Sequence, residues 1–240
     1  MTKNEVEFSS EINVQLVRVL ADDATVVSAA RVSTQGEEIL GYATAPEANE
    51  GLIKFLMRNR HGTPFEHNQF TFFVEAPIFV FREFHRHRIG WSYNEESGRY
   101  KELRGKFYVP DEERNLTQSG KPGHYIFEPG TEEQHDVMRA VQKNSCQTAY
   151  YAYQMQLNRG VAKEVARMCL PVSTYSTMYA TCNSRSLMSF LSLRQRHPMA
   201  KFPSSPMHEI NVVADVMEES FAAFMPITHA AFVENGYVAP

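Results

Sequence analysis

The chain has 240 residues, 43% hydrophobic and 22% charged, with a net charge of −4. That length suits one large domain, or a core with an appendage, and the composition excludes a disordered chain. An acidic balance argues against a protein that coats nucleic acid, so any basic site must be local.

The opening MTKNEVEFSSEINV carries early acids and no long apolar run, and reads as neither a signal nor a transit peptide. Residues 12–20, INVQLVRVL, alternate imperfectly with β-branched content and predict a strand; 24–32, ATVVSAARV, predict a short helix. Over 47–60, EANEGLIKFLMRNR sets Leu52, Phe55 and Leu56 on one helical face. Its acids come first and its bases last, as the helix dipole favours. His61-Gly62-Thr63-Pro64 is a turn, and NQFTFFVEA (68–76) predicts a strand. Pro77 fits position N1 of a helix over IFVFREFHRHR (78–88), with Ile78, Phe79, Phe81 and Phe84 as its apolar face. Residues 89–100 lose periodicity and read as a loop, and 107–109 as a short strand. The stretch 110–130, rich in Pro, Gly and charge, reads as a mobile surface excursion.

Long helical patterning follows over 131–159. Gly160 stops it before a second helix, VAKEVARMCL, which Pro171 ends. STYSTMYAT (173–181) favours a strand, and Asn183 is placed to cap a helix over SRSLMSFLSLRQR. Pro198, Pro203 and Pro206 break the chain before a final amphipathic helix near 207–224. Strands and helices do not alternate regularly, so the expected class is α+β: mainly antiparallel sheet packed with helices, plus long helices in the C-terminal half. A single domain over 1–240 with the excursion at 110–130 is expected. No apolar stretch reaches the roughly 18 residues needed to span a bilayer, so a cytoplasmic protein without a membrane partner is expected. Cys146, Cys169 and Cys182 form no C-x-x-C pair, which fits a reducing compartment.

The densest chemistry lies in His85-Arg86-His87-Arg88, followed by Ser92, Asn94, Glu95, Glu96, Ser97 and Arg99. If 78–88 is helical, Arg82 and Arg86 share one face, and Glu83 and His87 another. A guanidinium fork at a helix end holds a phosphate or carbonyl pair, and Glu96-Ser97-Gly98-Arg99 offers consecutive backbone N–H groups for an anion nest. A solvated basic patch is the bland alternative, weakened by the preceding IFVF and the adjacent sole tryptophan. Metal binding by His85-x-His87 or His61 and His67 is disfavoured, because i and i+2 diverge on a helix and neighbouring arginines repel a cation. HGTPFEH (61–67) read alone is a helix-to-strand turn. On NSRSLMSFLSLR (183–194), positions 185, 189 and 192 line a polar face while Leu187, Phe190 and Leu191 pack inward. Arg167, in the half-apolar VARMCLP, is expected to be paired or ligand-bound. Neither G-x-G-x-x-G, a P-loop nor a G-x-S-x-G elbow is present.

Taken together, RHRIGWSYNEESGRY, AARVS (29–33), HGTPFEH, APIFVFREF (76–84), EVARMCLP (164–171) and NSRSLMSFLSLR resemble the flavin-dependent thymidylate synthase family, in that family's order. The family signature is R-H-R, a spacer and a serine. Eight residues, Ile89 to Glu96, separate Arg88 from Ser97 here, against seven in the usual signature. The surplus residue falls within Ile89-Gly90-Trp91. Ser189 stands where many members carry asparagine, and 194–206 is longer than the matching turn in shorter relatives.

The resemblance implies reductive methylation of dUMP to dTMP, with methylenetetrahydrofolate as carbon donor and NADPH as reductant through FAD. It assigns FAD to His61, Thr63, Arg86, His87, Arg88, Glu95, Asn183, Ser184, Arg185 and Ser189. It assigns dUMP to Glu83, Arg86, Glu95, Glu96, Ser97, Gly98, Arg99, Arg167 and Arg194. Arg194 is the catalytic residue, stabilising charge on the uracil ring near N3 and O2. No metal is implied. Family members are homotetramers whose active sites draw on several subunits. Cys169 and Cys182 are read as structural, since nothing beside them marks a depressed pKa. A non-catalytic nucleotide- or RNA-binding module using the basic patch, and a metal-dependent hydrolase built on the histidines, are the alternatives.

Overall fold

A computed structural model of the chain describes residues 5–39 and 46–240. The strands are β1 (Glu7–Ser9), β2 (Asn13–Leu20), β3 (Gln69–Pro77), β4 (Trp91–Glu95), β5 (Lys106–Tyr108), β6 (Thr117–Lys121), β7 (His124–Glu128) and β8 (Tyr175–Cys182). The helices are α1 (Asp23–Gln35), α2 (Pro46–Arg58), α3 (Ile78–Phe84), α4 (Glu132–Asn158), α5 (Lys163–Ala166), α6 (Ser184–Arg194), α7 (His208–Phe224) and α8 (Pro226–Glu234). The class is α+β as expected, with the longest helix, α4, in the C-terminal half. Strands β2-β3-β8-β4 form a four-stranded sheet in that order; β1 and β5 pair in parallel, and β6 and β7 antiparallel. No described helix is long and apolar enough to cross a membrane.

The chain divides into two compact units: residues 5–13, 74–85 and 94–178 in the first, and the other described residues in the second. The first is built on α4, whose start Thr131 sets with a capping box: its hydroxyl accepts from the Gln134 N–H, and Gln134 Oε1 accepts from the Thr131 N–H. The helix buries Cys146, Tyr150 and Tyr153 against Phe107 and Ala166. Gly160, at φ 80°, ends the run as expected. The expected helix over 161–170 is only the four residues of α5 and a 3₁₀ turn, and Leu170, before Pro171, is already extended. The 110–130 stretch carries the β6–β7 hairpin, with nearly every side chain exposed or half-exposed.

The second unit has the larger apolar core, with Phe65, Phe70, Phe72, Phe190, Phe221 and Phe232 all fully buried. The Phe70 ring stacks on Phe72 and meets the Phe221 ring edge-on, both at 6.2 Å. Asp22 caps α1 by accepting from the Thr25 N–H at 2.6 Å. Asp23 then accepts from the Ile227 and Thr228 N–H groups at the start of α8, where a carboxylate complements the helix dipole. On α2 the buried stripe is Ile53, Leu56 and Met57; Phe55 is 48% exposed and Leu52 half-buried, so the expected Leu52–Phe55–Leu56 face is rotated.

Further expectations are corrected. The helix after Pro77 stops at Phe84, its fully buried residues are Val80, Phe81 and Phe84, and Pro77 is its N-cap rather than N1. Arg86 and His87 therefore lie beyond the helix, and the Arg82–Arg86 and Glu83–His87 pairings at helical spacing do not arise. The supposed loop 89–100 contains β4, an alternation of exposed and half-buried residues that pairing with the sheet makes extended. Helix α8 had no separate expectation, and neither did β1.

Candidate active site

Helix α6 is the spine of the second unit's polar cluster. Asn183 caps it, its Oδ1 accepting from the Ser186 N–H at 2.9 Å. The next residue, Ser184, is fully buried. It donates its N–H to Asn68 Oδ1 at 2.7 Å and its hydroxyl to the Phe65 carbonyl at 2.8 Å, locking the 3₁₀ turn Thr63–Glu66 onto the helix start. Its hydroxyl is thus spent inside the protein. Arg185 donates to Glu66 Oε1 at 2.6 Å and to the Pro240 carbonyl at 3.0 Å. A Cβ at Gly62 would overlap the Arg185 guanidinium, so a side chain there would displace that group from its present place. Thr63 and His61 are exposed beside it, with the His61 ring stacked on Phe55 at 5.8 Å.

The spacer after Arg88 turns at Gly90, just before β4. Gly90 has φ 69° and lies against Ser186 and Asn183, while Ser186 Oγ donates to the Ile89 carbonyl at 2.8 Å. The Ile89 side chain points out, 88% exposed. Trp91 stacks on Tyr93 at 5.6 Å and packs on Phe190 at 5.3 Å, so the strand restarts in fixed register on α6.

At the other end of α6, Arg194 Nε donates to His87 Nε2 at 3.0 Å. The His87 ring meets Phe190 edge-on at 4.9 Å, and the His87 carbonyl accepts from the Tyr93 hydroxyl at 2.9 Å. Burial, then the positive charges of Arg194 and Arg86, lowers this imidazole from its ordinary 6.5 to about 4. It is therefore neutral near pH 7, accepts at Nε2 and keeps its proton on Nδ1. Arg86 and Arg88 flank it, both exposed, and Ser189 is half-buried on the same helix as Arg194.

Neutral His87 carries a pH signature. The folded imidazole resists protonation down to about 4, whereas the unfolded one takes a proton near 6.5. Its contribution to stability is full above pH 6.5 and falls as the pH drops from there toward 4. Between pH 7 and 5 the loss is on the order of 1 kcal/mol after solvent screening. His87→Gln, which does not titrate, should shrink the drop in Tm between those pH values; an equal drop in both proteins would show that His87 plays no part in it.

The first unit holds the other predicted residues. Glu95 ends β4, and the Glu96 N–H donates to the Thr177 carbonyl at 2.8 Å. Ser97 opens a turn in which its carbonyl accepts from the Tyr100 and Lys101 N–H groups, and its Oγ from the Arg99 N–H. The N–H groups of Glu96, Arg99, Tyr100 and Lys101 are thus bonded within the protein. The turn also presents side-chain charge. Arg99 pairs with Glu164 at 2.9 Å, both over half exposed, and Lys101 pairs with Glu96 at 2.8 Å. Gly98 is buried, and a Cβ there would press on Leu103 and on Arg167 Cδ at 3.1 Å, so the Arg167 stem lies across this turn. Glu83 is half-buried in α3.

Among the described residues no group of three or more His, Cys, Asp or Glu is placed to hold a metal. Cys182 is buried, and burial pushes its thiol well above the ordinary range, so it stays protonated.

Residues 15–227 match the family described as Thymidylate synthase complementing protein. A flavin-dependent thymidylate synthase of Streptomyces coelicolor is 57% identical over 237 residues, covering 98% of this chain and 96% of the relative. The chain belongs to the flavin-dependent thymidylate synthase family. The Tropheryma whipplei flavin-dependent thymidylate synthase is 53% identical over 233 residues, 97% of each chain. A solved UMP/dUMP methylase, PolB from Streptomyces cacaoi bound with 5-Br dUMP, superposes with a TM-score of 0.93 at 49% identity, covering 98% of this chain and all of that one. Membership makes the protein an enzyme with a flavin cofactor.

What sequence reasoning missed is the tertiary support. Glu66 and the Pro240 carbonyl hold Arg185, Tyr93 fixes the His87 backbone, and Gly62 and Gly90 make room. All but Pro240 stand in motif blocks, Gly62 and Glu66 in HGTPFEH and Gly90 and Tyr93 in RHRIGWSYNEESGRY, but no local pattern names their partners.

Proposed function

We propose that the protein methylates deoxyuridylate to thymidylate, taking carbon from methylenetetrahydrofolate and electrons from NADPH through FAD. The observation that carries this reading is the neutral His87 holding Arg194 at the end of α6, within a chain of this family. When bound, FAD supplies the two-electron transfer between NADPH and the incoming carbon. Thr63, Arg185 and the capped start of α6, with Arg86, His87 and Arg88, are the groups that hold it; His61, Glu95 and Ser189 complete the set, and Ser184 backs it from inside.

In this reading Ser97, Arg99 and Arg167 take the nucleotide phosphate, with Glu83, Glu96 and Gly98 shaping that site. The Arg99–Glu164 pair is exposed and is worth little in water, so a phosphate displaces Glu164 at small cost. Arg194 meets the uracil and stabilises the charge that develops on the ring. Four copies of the chain assemble, and more than one contributes to each active site.

The test is deoxyuridylate-dependent NADPH oxidation with FAD present, with and without methylenetetrahydrofolate. A protein showing no flavin absorbance band after incubation with FAD would overturn the reading. Uridylate run in parallel decides the nucleotide, since the neighbouring methylase has also been solved with 5-Br UMP. Arg99→Ala should weaken deoxyuridylate binding by about 1.5–3 kcal/mol, the value of a charge-assisted contact. Equilibrium titration giving unchanged affinity would remove Arg99 from the phosphate site.

A further inference from the structure

The residue after Arg194 is bound on every side. Gln195 is only 5% exposed, and its Nε2 donates one hydrogen to Asp215 Oδ1 at 2.8 Å and the other to Glu218 Oε2 at 2.6 Å. Its Oε1 faces His197 Nε2 at 2.6 Å, and its main-chain carbonyl accepts from Ser204 Oγ at 2.7 Å. One proton assignment satisfies all of these: the amide gives both its hydrogens to carboxylates and its oxygen accepts from His197.

The partners stand on one stripe of α7. Asn211, Asp215 and Glu218 are spaced i, i+4, i+7, and Asn211 Oδ1 takes the Arg196 N–H at 2.8 Å while its Nδ2 donates to Asp215 at 2.7 Å. Glu218 is held from its far side by His229 of α8 at 2.9 Å, and Tyr237 stacks on the His197 ring with centroids 3.6 Å apart. A helix end ordinarily frays, because its last carbonyls lack intrahelical partners. Here the two residues after the helix are tied to α7, so the last helical residue, Arg194, has a fixed backbone.

We propose that Gln195 is a positioning residue that aims Arg194, acting through Asp215 and Glu218 rather than touching substrate. His87 restrains the guanidinium and Gln195 restrains the backbone from which it extends. The proposal rests on the reading of Arg194 as the residue that acts on uracil. It explains why an amide follows the arginine. Glutamine can donate to two carboxylates at once; glutamate would repel both, and leucine of similar volume would leave both without this donor.

The experiment is a double-mutant cycle in the reconstituted flavoenzyme. Gln195→Leu should lower kcat by about 10–100-fold, the scale of a misplaced catalytic group, while FAD affinity by fluorescence titration and the deoxyuridylate KM stay within about two-fold. In an Arg194→Ala background the same substitution should leave residual turnover unchanged, because there is no longer a guanidinium to aim. Gln195→Leu with wild-type kcat would overturn the proposal, as would an undiminished effect without Arg194. If Gln195→Leu fails to fold, Gln195→Met, an unbranched side chain without the amide donor, replaces it in the cycle with the same expectations. Should Arg194→Ala itself retain turnover, the reading of Arg194 fails, not the link to Gln195 alone.

Discussion

Arg194→Ala is expected to lower thymidylate formation by about 10²–10³-fold while the purified protein still binds FAD. A fixed donor aimed at developing charge is worth that much in a site sheltered from water, and no other side chain on α6 carries a guanidinium at that end. The flavin groups assigned to the start of α6 depend on Asn183, Ser184 and the turn at Thr63–Glu66, none of which touches Arg194. The truncation does remove the donor that meets His87 Nε2, so a modest loss of flavin affinity is expected. Arg194→Lys keeps the charge but loses the planar fork, and should recover only part of the rate. Single-turnover kinetics with saturating deoxyuridylate would check this directly. Turnover within a few-fold of wild type would remove Arg194 from the chemistry.

Gly90→Ala should be the most damaging small substitution outside the core. Its φ of 69° disfavours any side chain, at a cost of about 1–2 kcal/mol, and the new Cβ would overlap Ser186 Oγ and stand 2.9 Å from Asn183 Nδ2. Those are the cap of α6 and the hydroxyl that anchors Ile89, so they cannot shift independently. Overpacking adds about 1–3 kcal/mol, and the sum of about 2–5 kcal/mol should lower Tm by roughly 5–15 °C. FAD affinity should fall with it, since the capped start of α6 is displaced. Gly51→Ala is the control: it lies in α2 with nothing among the described residues within 4 Å, and should be neutral or stabilising by up to about 1 kcal/mol. A Gly90→Ala protein melting with wild type would mean that the 89–91 turn is not fixed in the way described.

Most elements were legible because their signals are local. Alternation marks β2 and β3, Asn183 and Gly160 mark helix ends, and the unbroken polar-apolar pattern of 131–159 marks α4. The errors share a cause. His85–Arg88 continues the helical composition of 78–84, but the backbone leaves the helix there to carry His87 to Phe190 and Arg194. Trp91–Glu95 lacks a clean apolar period because its extended shape comes from pairing in the sheet, not from its own side chains.

By itself, the sequence determined the α+β class, the family and the ordered blocks that hold the polar residues, since these depend on composition, spacing and motif. It also sets eight residues between Arg88 and Ser97. Only the tertiary structure decided how that spacer turns, at a left-handed glycine docked on α6, and which groups hold Arg194 at its head and at its backbone. The physical reason is distance along the chain. His87 and Arg194 lie 107 residues apart, and Gln195 and Glu218 23 apart. A hydrogen bond between such partners leaves no period in a sequence, because it exists only once the cores beneath have packed.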